Sequence, residues 1–171
     1  MVNTPKAYGK SIKASDLPTG IAKFFPIHSE QSTLGLPTEQ LLPVVEAIRE
    51  RIAEIRDAFA QVEMRMVGGS LLIIYENDLE RVKQGIALLE EGVEEEEDDE
   101  DEDDEDEDDE DEDDEEEDEE NTKPAPACFV KLIDFAHTKM VAGEGPDEGV
   151  LLGMDTTLRL LDGRISEIKG S

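Results

Sequence analysis

The sequence predicts an α+β fold, an antiparallel sheet with packed helices broken by a disordered acidic insertion, and three observations predict it. Leu41, Val45, Ile48, Ile52, Ile55, Phe59 and Val62 recur at alternating steps of four and three, which draws one apolar stripe along a helix. Two short β-rich runs, "SLLIIYE" and "ACFVKLIDF", read as strands. Between those runs every residue from Glu94 to Glu120 is Asp or Glu, a composition with nothing to bury.

The elements follow in order. "SDLPTGIAKFF" suggests a short helix around Asp16 to Phe25. The long helix begins between Thr38 and Leu42, because Pro43 fits best within a first turn, where its missing N–H costs little. Glu46, Arg49, Glu50, Arg56 and Asp57 fall on its other faces. Three heptads without clear flanking charge pairs suit a helix lying on a sheet better than a coiled-coil seam. Gly68 and Gly69 stop the helical pattern, and Ser70 to Glu76 then reads as a buried strand. "NDLERVKQGIALLEEG" forms a short helix despite Gly85. "ACFVKLIDF" follows the acidic run as the antiparallel neighbour of the first strand, since closing a longer loop costs only slowly more. "GEGPDEG", Gly143 to Gly149, is a loop. After it Val150, Leu151, Met154, Leu158, Leu161 and Ile165, widened by Leu152 and Leu160, mark a last helix that kinks or ends near Gly163. The long helix and this last helix are expected to cover the sheet.

The acidic run dominates the composition. The chain has 171 residues and a formal net charge of −31, but 27 of its 47 acids lie in that run. Taking those 27 away leaves 20 acids against 16 bases, a net of only −4. The run repels phosphate, which argues against direct nucleic-acid binding, and its natural partners are basic nuclear proteins such as histones or DNA-binding regulators. A solvating spacer with no dedicated partner is the alternative on composition. Cys128 is the single cysteine, which excludes an internal disulfide framework. "MVNTPKAYGK" has no apolar segment of the signal-peptide kind, and "LLII", Leu71 to Ile74, is far too short to span a bilayer. The expectation is a soluble protein of nucleus and cytoplasm, with no membrane partner.

Chemistry concentrates at two places. "GKS", Gly9 to Ser11, resembles the end of a phosphate-binding loop, but Thr4 stands at the first glycine position and no strand fits before it. "KLIDFAHTKM" is more informative. Asp134 leaves an apolar strand as an anionic oxygen on a firm backbone, which suits an Mg²⁺ site beside a triphosphate, yet on pattern alone such an aspartate is more often a strand cap or turn residue. His137, three residues on, is a surface histidine or a ligand by the same reasoning.

Taken together, "GGSLLIIYE", "KLIDFAHTK", "KAYGKSIKASDLPTGIAKFF" and "DEGVLLGMDTTLRLL" resemble the inositol polyphosphate kinase family, in particular its fungal multikinase branch. The family's Ser-Ser-Leu-Leu strand stands here as Gly69, Ser70, Leu71, Leu72, and its Asp-Phe-Ala-His as Asp134, Phe135, Ala136, His137. The resemblance implies ATP and Mg²⁺ as cofactors, an inositol polyphosphate as substrate, and the larger, C-terminal lobe of that kinase fold. It implies that Asp134 ligates the metal, with Ser70 as a further metal-side ligand or orienter. His137 would bind a substrate phosphate or orient the attacking hydroxyl, and Ile133 would pack on adenine. Residues 1–93 and 121–171 would form two parts of one lobe around the insertion 94–120. Two departures stand out. Gly69 replaces the family's first serine, and no proline here has an aspartate four residues later, so the family's Pro-x-x-x-Asp-x-Lys-x-Gly is absent. The chain is therefore expected to correspond to the C-terminal portion of such a kinase, inactive alone and with apolar surface exposed.

Overall fold

The computed structural model describes residues 6–29, 34–92 and 124–171; the acidic run falls outside them. Five helices and four strands are defined: α1 (Lys6–Ser11), α2 (Leu17–Phe24), α3 (Thr38–Phe59), β1 (Met64–Met66), β2 (Ser70–Tyr75), α4 (Leu79–Glu90), β3 (Cys128–Ile133), β4 (Thr138–Met140) and α5 (Glu148–Lys169). No helix among the described residues is long and apolar enough to cross a membrane.

The predicted stripe organises the core. Leu41, Val45, Ile48, Ile52 and Phe59 of α3 are buried, joined by Val44, and removal of each such side chain from water contributes about 2 kcal/mol. With these α3 residues other than Phe59, Leu161 and Ile168 of α5, Val82 of α4, Phe25, Leu36, Ala127 and Cys128 form one cluster. α5 runs antiparallel along α3, with exposed pairs Arg49–Asp162, Arg56–Asp155 and Glu46–Lys169 bridging the two helices. Its first turns enter a second cluster, where Leu151 and Met154 join Phe59 and Met66 against Leu71 and Leu132 of the sheet. The sheet is thus covered chiefly by α3, and α5 reaches it at one end.

Several expectations are corrected by packing. Pro43 is the sixth helical residue, in the second turn, because burial of Leu41, Val44 and Val45 outweighs the lost backbone bond. The helix ends at Phe59, and Val62 falls in the turn before strand β1. α5 runs through Gly163 without interruption; buried Leu161, Arg164 and Ile168 hold the helix on both sides of the glycine. β2 is half-buried rather than buried: Leu71, Ile73 and Tyr75 face the core, while Leu72 and Ile74 are 37% and 53% exposed.

β2 and β3 pair antiparallel from Ser70↔Ile133 to Tyr75↔Cys128, and β1 and β4 from Met64↔Met140 to Met66↔Thr138. The two ladders are successive stretches of one ribbon, joined where Val67 to Gly69 face Asp134 to His137. Three residues on one strand oppose four on the other, so the ribbon carries a bulge. α4, the last described element before the acidic insertion, packs its Gly85 against the start of β3, the first element after it. A Cβ at Gly85 would stand 2.5 Å from the Ala127 nitrogen and 2.8 Å from the Ala125 oxygen, which excludes any larger residue.

Candidate functional site

The bulge collects the residues singled out in the sequence. Asp134 is the only non-glycine residue with positive φ among those described (φ 68°, ψ 54°). A short polar side chain tolerates this left-handed conformation better than most, but it still costs free energy. The kink turns the chain from β3 into a single 3₁₀ turn, Phe135–His137, and the His137 carbonyl accepts from the Val67 N–H at 3.2 Å. Asp134, Phe135, Ala136 and His137 are all exposed. The Asp134 carboxylate makes no hydrogen bond or ion pair with any described residue. An aspartate cap at a strand end would be expected to accept from nearby backbone N–H groups. Asp134 is thus a turn residue at the end of β3, and its carboxylate caps nothing among the described residues.

Ser70 faces Ile133 across the first rung of the β2/β3 ladder, one residue from Asp134 on the partner strand. Side chains at paired positions share a face, so Ser70 and Ile133, Leu72 and Lys131, and Ile74 and Phe129 form the face turned away from the core. Ser70 and Leu72 are exposed and Ile133 is half-buried. An apolar platform therefore ends at a hydroxyl, with a carboxylate leaving the neighbouring strand. Lys131 Nζ lies 4.9 Å from the centre of the Phe129 ring on the same platform.

Asp134 and Ser70 are exposed oxygen donors at neighbouring ladder ends, the donor type a hard cation takes. Among the described residues no three His, Cys, Asp or Glu side chains gather into a complete metal site. A magnesium-type site needs only one or two protein oxygens when waters and substrate phosphates complete the shell.

Sequence reasoning missed the supports of the bulge. Asp147 caps α5 by accepting from the Gly149 and Val150 N–H groups, and its other oxygen accepts from the Met66 N–H at 3.1 Å. The Met66 N–H bond, followed by those of Val150 and Gly149 and by the nearby Arg65 charge, holds its carboxyl below the usual range despite some desolvation. Glu63 accepts from Gly143 N–H at 2.7 Å and Gly145 N–H at 3.2 Å, while Arg65 donates to the Gly145 and Glu144 carbonyls. These contacts fasten the "GEGPDEG" loop to β1. Their only local signal is an aspartate immediately before the helix, and nothing in it names the distant partner. Cys128 takes no part: burial pushes its thiol up to about 11, only slightly opposed by Arg51, and keeps it protonated at neutral pH.

Comparison with known proteins matches the family described as inositol polyphosphate kinase over residues 1–162. No curated protein matches. Among solved structures, the crystal structure of inositol phosphate multikinase Ipk2 from S. cerevisiae, in complex with ADP and Mn²⁺, is similar, with a TM-score of 0.61 and 24% identity. The match covers 94% of this chain and 50% of that one, so the chain spans about half the length of that structure. At this identity the likeness establishes the fold, a helix-plus-antiparallel-sheet unit of the inositol polyphosphate kinase type.

Proposed function

The chain belongs to the inositol polyphosphate kinase family, and from that premise we propose that it carries the metal and nucleotide edge of an ATP-dependent kinase acting on soluble inositol polyphosphates of the tris- and tetrakisphosphate class. The observation that carries the reading is the ribbon bulge, where Asp134 is held left-handed, exposed and unpartnered one residue from the Ser70↔Ile133 rung. The ADP and Mn²⁺ in the yeast multikinase structure support a nucleotide and a divalent cation, here Mg²⁺, as cofactors.

In this reading Asp134 and Ser70 supply the protein oxygens for the cation, and Ile133 with Leu72 offers adenine an apolar surface. The cation neutralises charge on the β- and γ-phosphate oxygens when bound. His137 binds a phosphate of the inositol substrate or orients its attacking hydroxyl. The oxygen of that hydroxyl forms the new bond to γ-phosphorus as the bond to ADP breaks, and the hydroxyl proton passes to solvent. Residues 1–93 and 121–171 work as one lobe, a division supported by β2 and β3 pairing across the insertion.

The 171-residue chain by itself turns over no substrate, because it contains no Pro-x-x-x-Asp-x-Lys-x-Gly and leaves the transferring group under-neutralised. Two measurements separate the parts of the proposal. Calorimetry with ADP and Mn²⁺ should show metal-dependent binding that falls at least about tenfold in Asp134→Ala, the loss of one charged ligand; equal binding by both proteins would remove Asp134 from the site. An assay with ATP and inositol trisphosphate should show no turnover above the Asp134→Ala background, and turnover above it overturns the inactivity.

The acidic run favours a second, compatible role, capture of basic nuclear proteins by Glu94 to Glu120, with the protein in nucleus and cytoplasm. Deleting the run should abolish pull-down of histones, and raised salt should weaken the pull-down steeply. Capture that survives the deletion excludes the run.

A further inference from the structure

Gly69 stands where the family resemblance expects a serine, and its surroundings account for the exchange. Directly over it lies the side chain of Met66, 7% exposed and packed in the cluster of Phe59, Leu151 and Met154. A Cβ at position 69 would sit 2.5 Å from Met66 Sδ and 2.9 Å from its Cγ, with Cε overlapping as well. Conflict with three successive atoms is not relieved by swinging the tip alone, because the inner part of the side chain must move into a filled cluster.

Met66 is also held from its backbone. Its N–H donates to Asp147 at 3.1 Å, and it pairs with Thr138, the residue after His137. Only Val67 to Gly69 separate this fixed point from Ser70. The thioether thus lies against the three-residue side of the bulge at Gly69, between Met66 and the first rung of the β2/β3 ladder.

We infer that Met66 and Gly69 are a matched pair, and that Met66 is a positioning residue which sets Ser70 opposite the Asp134 kink by filling the volume a side chain at position 69 would occupy. The inference rests on the metal and nucleotide reading for its purpose, but the coupling itself is readable without a ligand. A serine at 69 is accommodated only when residue 66 is made smaller.

The test is a cycle of Gly69→Ser, Met66→Ala and the double variant in the full chain. Each single change should lower the melting midpoint by roughly 5 °C, the first by overpacking and the second by leaving a cavity. The double variant should recover at least half of the summed loss, since the hydroxymethyl enters the space the thioether leaves. In two-dimensional NMR the Ser70 amide resonance should move in Gly69→Ser and return toward its original position in the double variant. Mn²⁺-dependent ADP affinity should fall about tenfold in Gly69→Ser and recover to within about threefold in the double variant, as expected when a ligand is displaced by under 1 Å. Additive midpoint losses, or an unmoved Ser70 amide, overturn the inference. If the parent chain binds no Mn²⁺ and ADP, the functional reading falls, and the midpoint and amide cycle still decides whether the pair is coupled.

Discussion

At the scale of single residues, Asp134 combines two properties that rarely serve stability together, a left-handed backbone and an exposed carboxylate without a partner among the described residues. Strain held at such a position points to use rather than to folding. Asp134→Gly should therefore stabilise the chain by about 1 kcal/mol in denaturant melts while abolishing Mn²⁺-dependent ADP binding. Asp134→Asn, which keeps the conformation but loses the charge, should leave stability nearly unchanged and still weaken that binding. Loss of stability in the glycine variant would show that the carboxylate holds the fold. The neighbouring positions of Asp134 and Ser70 were legible in the sequence because one follows and the other precedes an apolar run in a recognisable motif. Met66, Glu63 and Asp147 were not, because their partners lie about 80 residues away or, for Met66, across a turn that only the fold closes.

At the scale of elements, α5 depends on a cap that also binds β1. Asp147 accepts from two helix N–H groups and from Met66, and these bonds keep its folded pKa below the unfolded value near 3.9. A depressed carboxylate contributes its full stabilisation above the unfolded pKa and loses it as pH falls through the folded pKa, so the loss belongs below about pH 4. Asp147→Asn keeps a capping oxygen but not the charge. It should be less stable than the parent at pH 7, with the gap closing as pH falls below about 4 in acid-unfolding curves; a gap independent of pH would assign the effect to shape alone. The long helices and the two six-residue strands were legible from period and composition. β1 and β4 were not, since three residues give no alternation to read, and their pairing depends on the longer ladder beside them. Gly163 misled for a related reason: local propensity argues for a break, and buried neighbours on both sides override it.

At the scale of the whole molecule, two chemically unlike parts share one chain. The described residues hold a core, whereas the run from Glu94 to Glu120 supplies most of the net charge of −31. Self-repulsion within that run works against compact folding at low salt. Replacing it with a short neutral linker should raise the denaturation midpoint at 50 mM salt by an amount that shrinks at 500 mM salt; a salt-independent difference would point to loop closure instead. The split was legible from composition, and so was the antiparallel pairing across it. The half-open sheet followed less directly, because alternation between Leu71 and Leu72 is invisible when both faces carry apolar residues. The contact between Gly85 and Ala127 adds a consequence for how such a sequence changes over generations. Because this close approach joins the last described helix before the acidic stretch to the strand after it, the length of the stretch between them can change while the packing on either side is left undisturbed. Drift is confined instead at one hydrogen-sized side chain, where the smallest enlargement would push helix from strand.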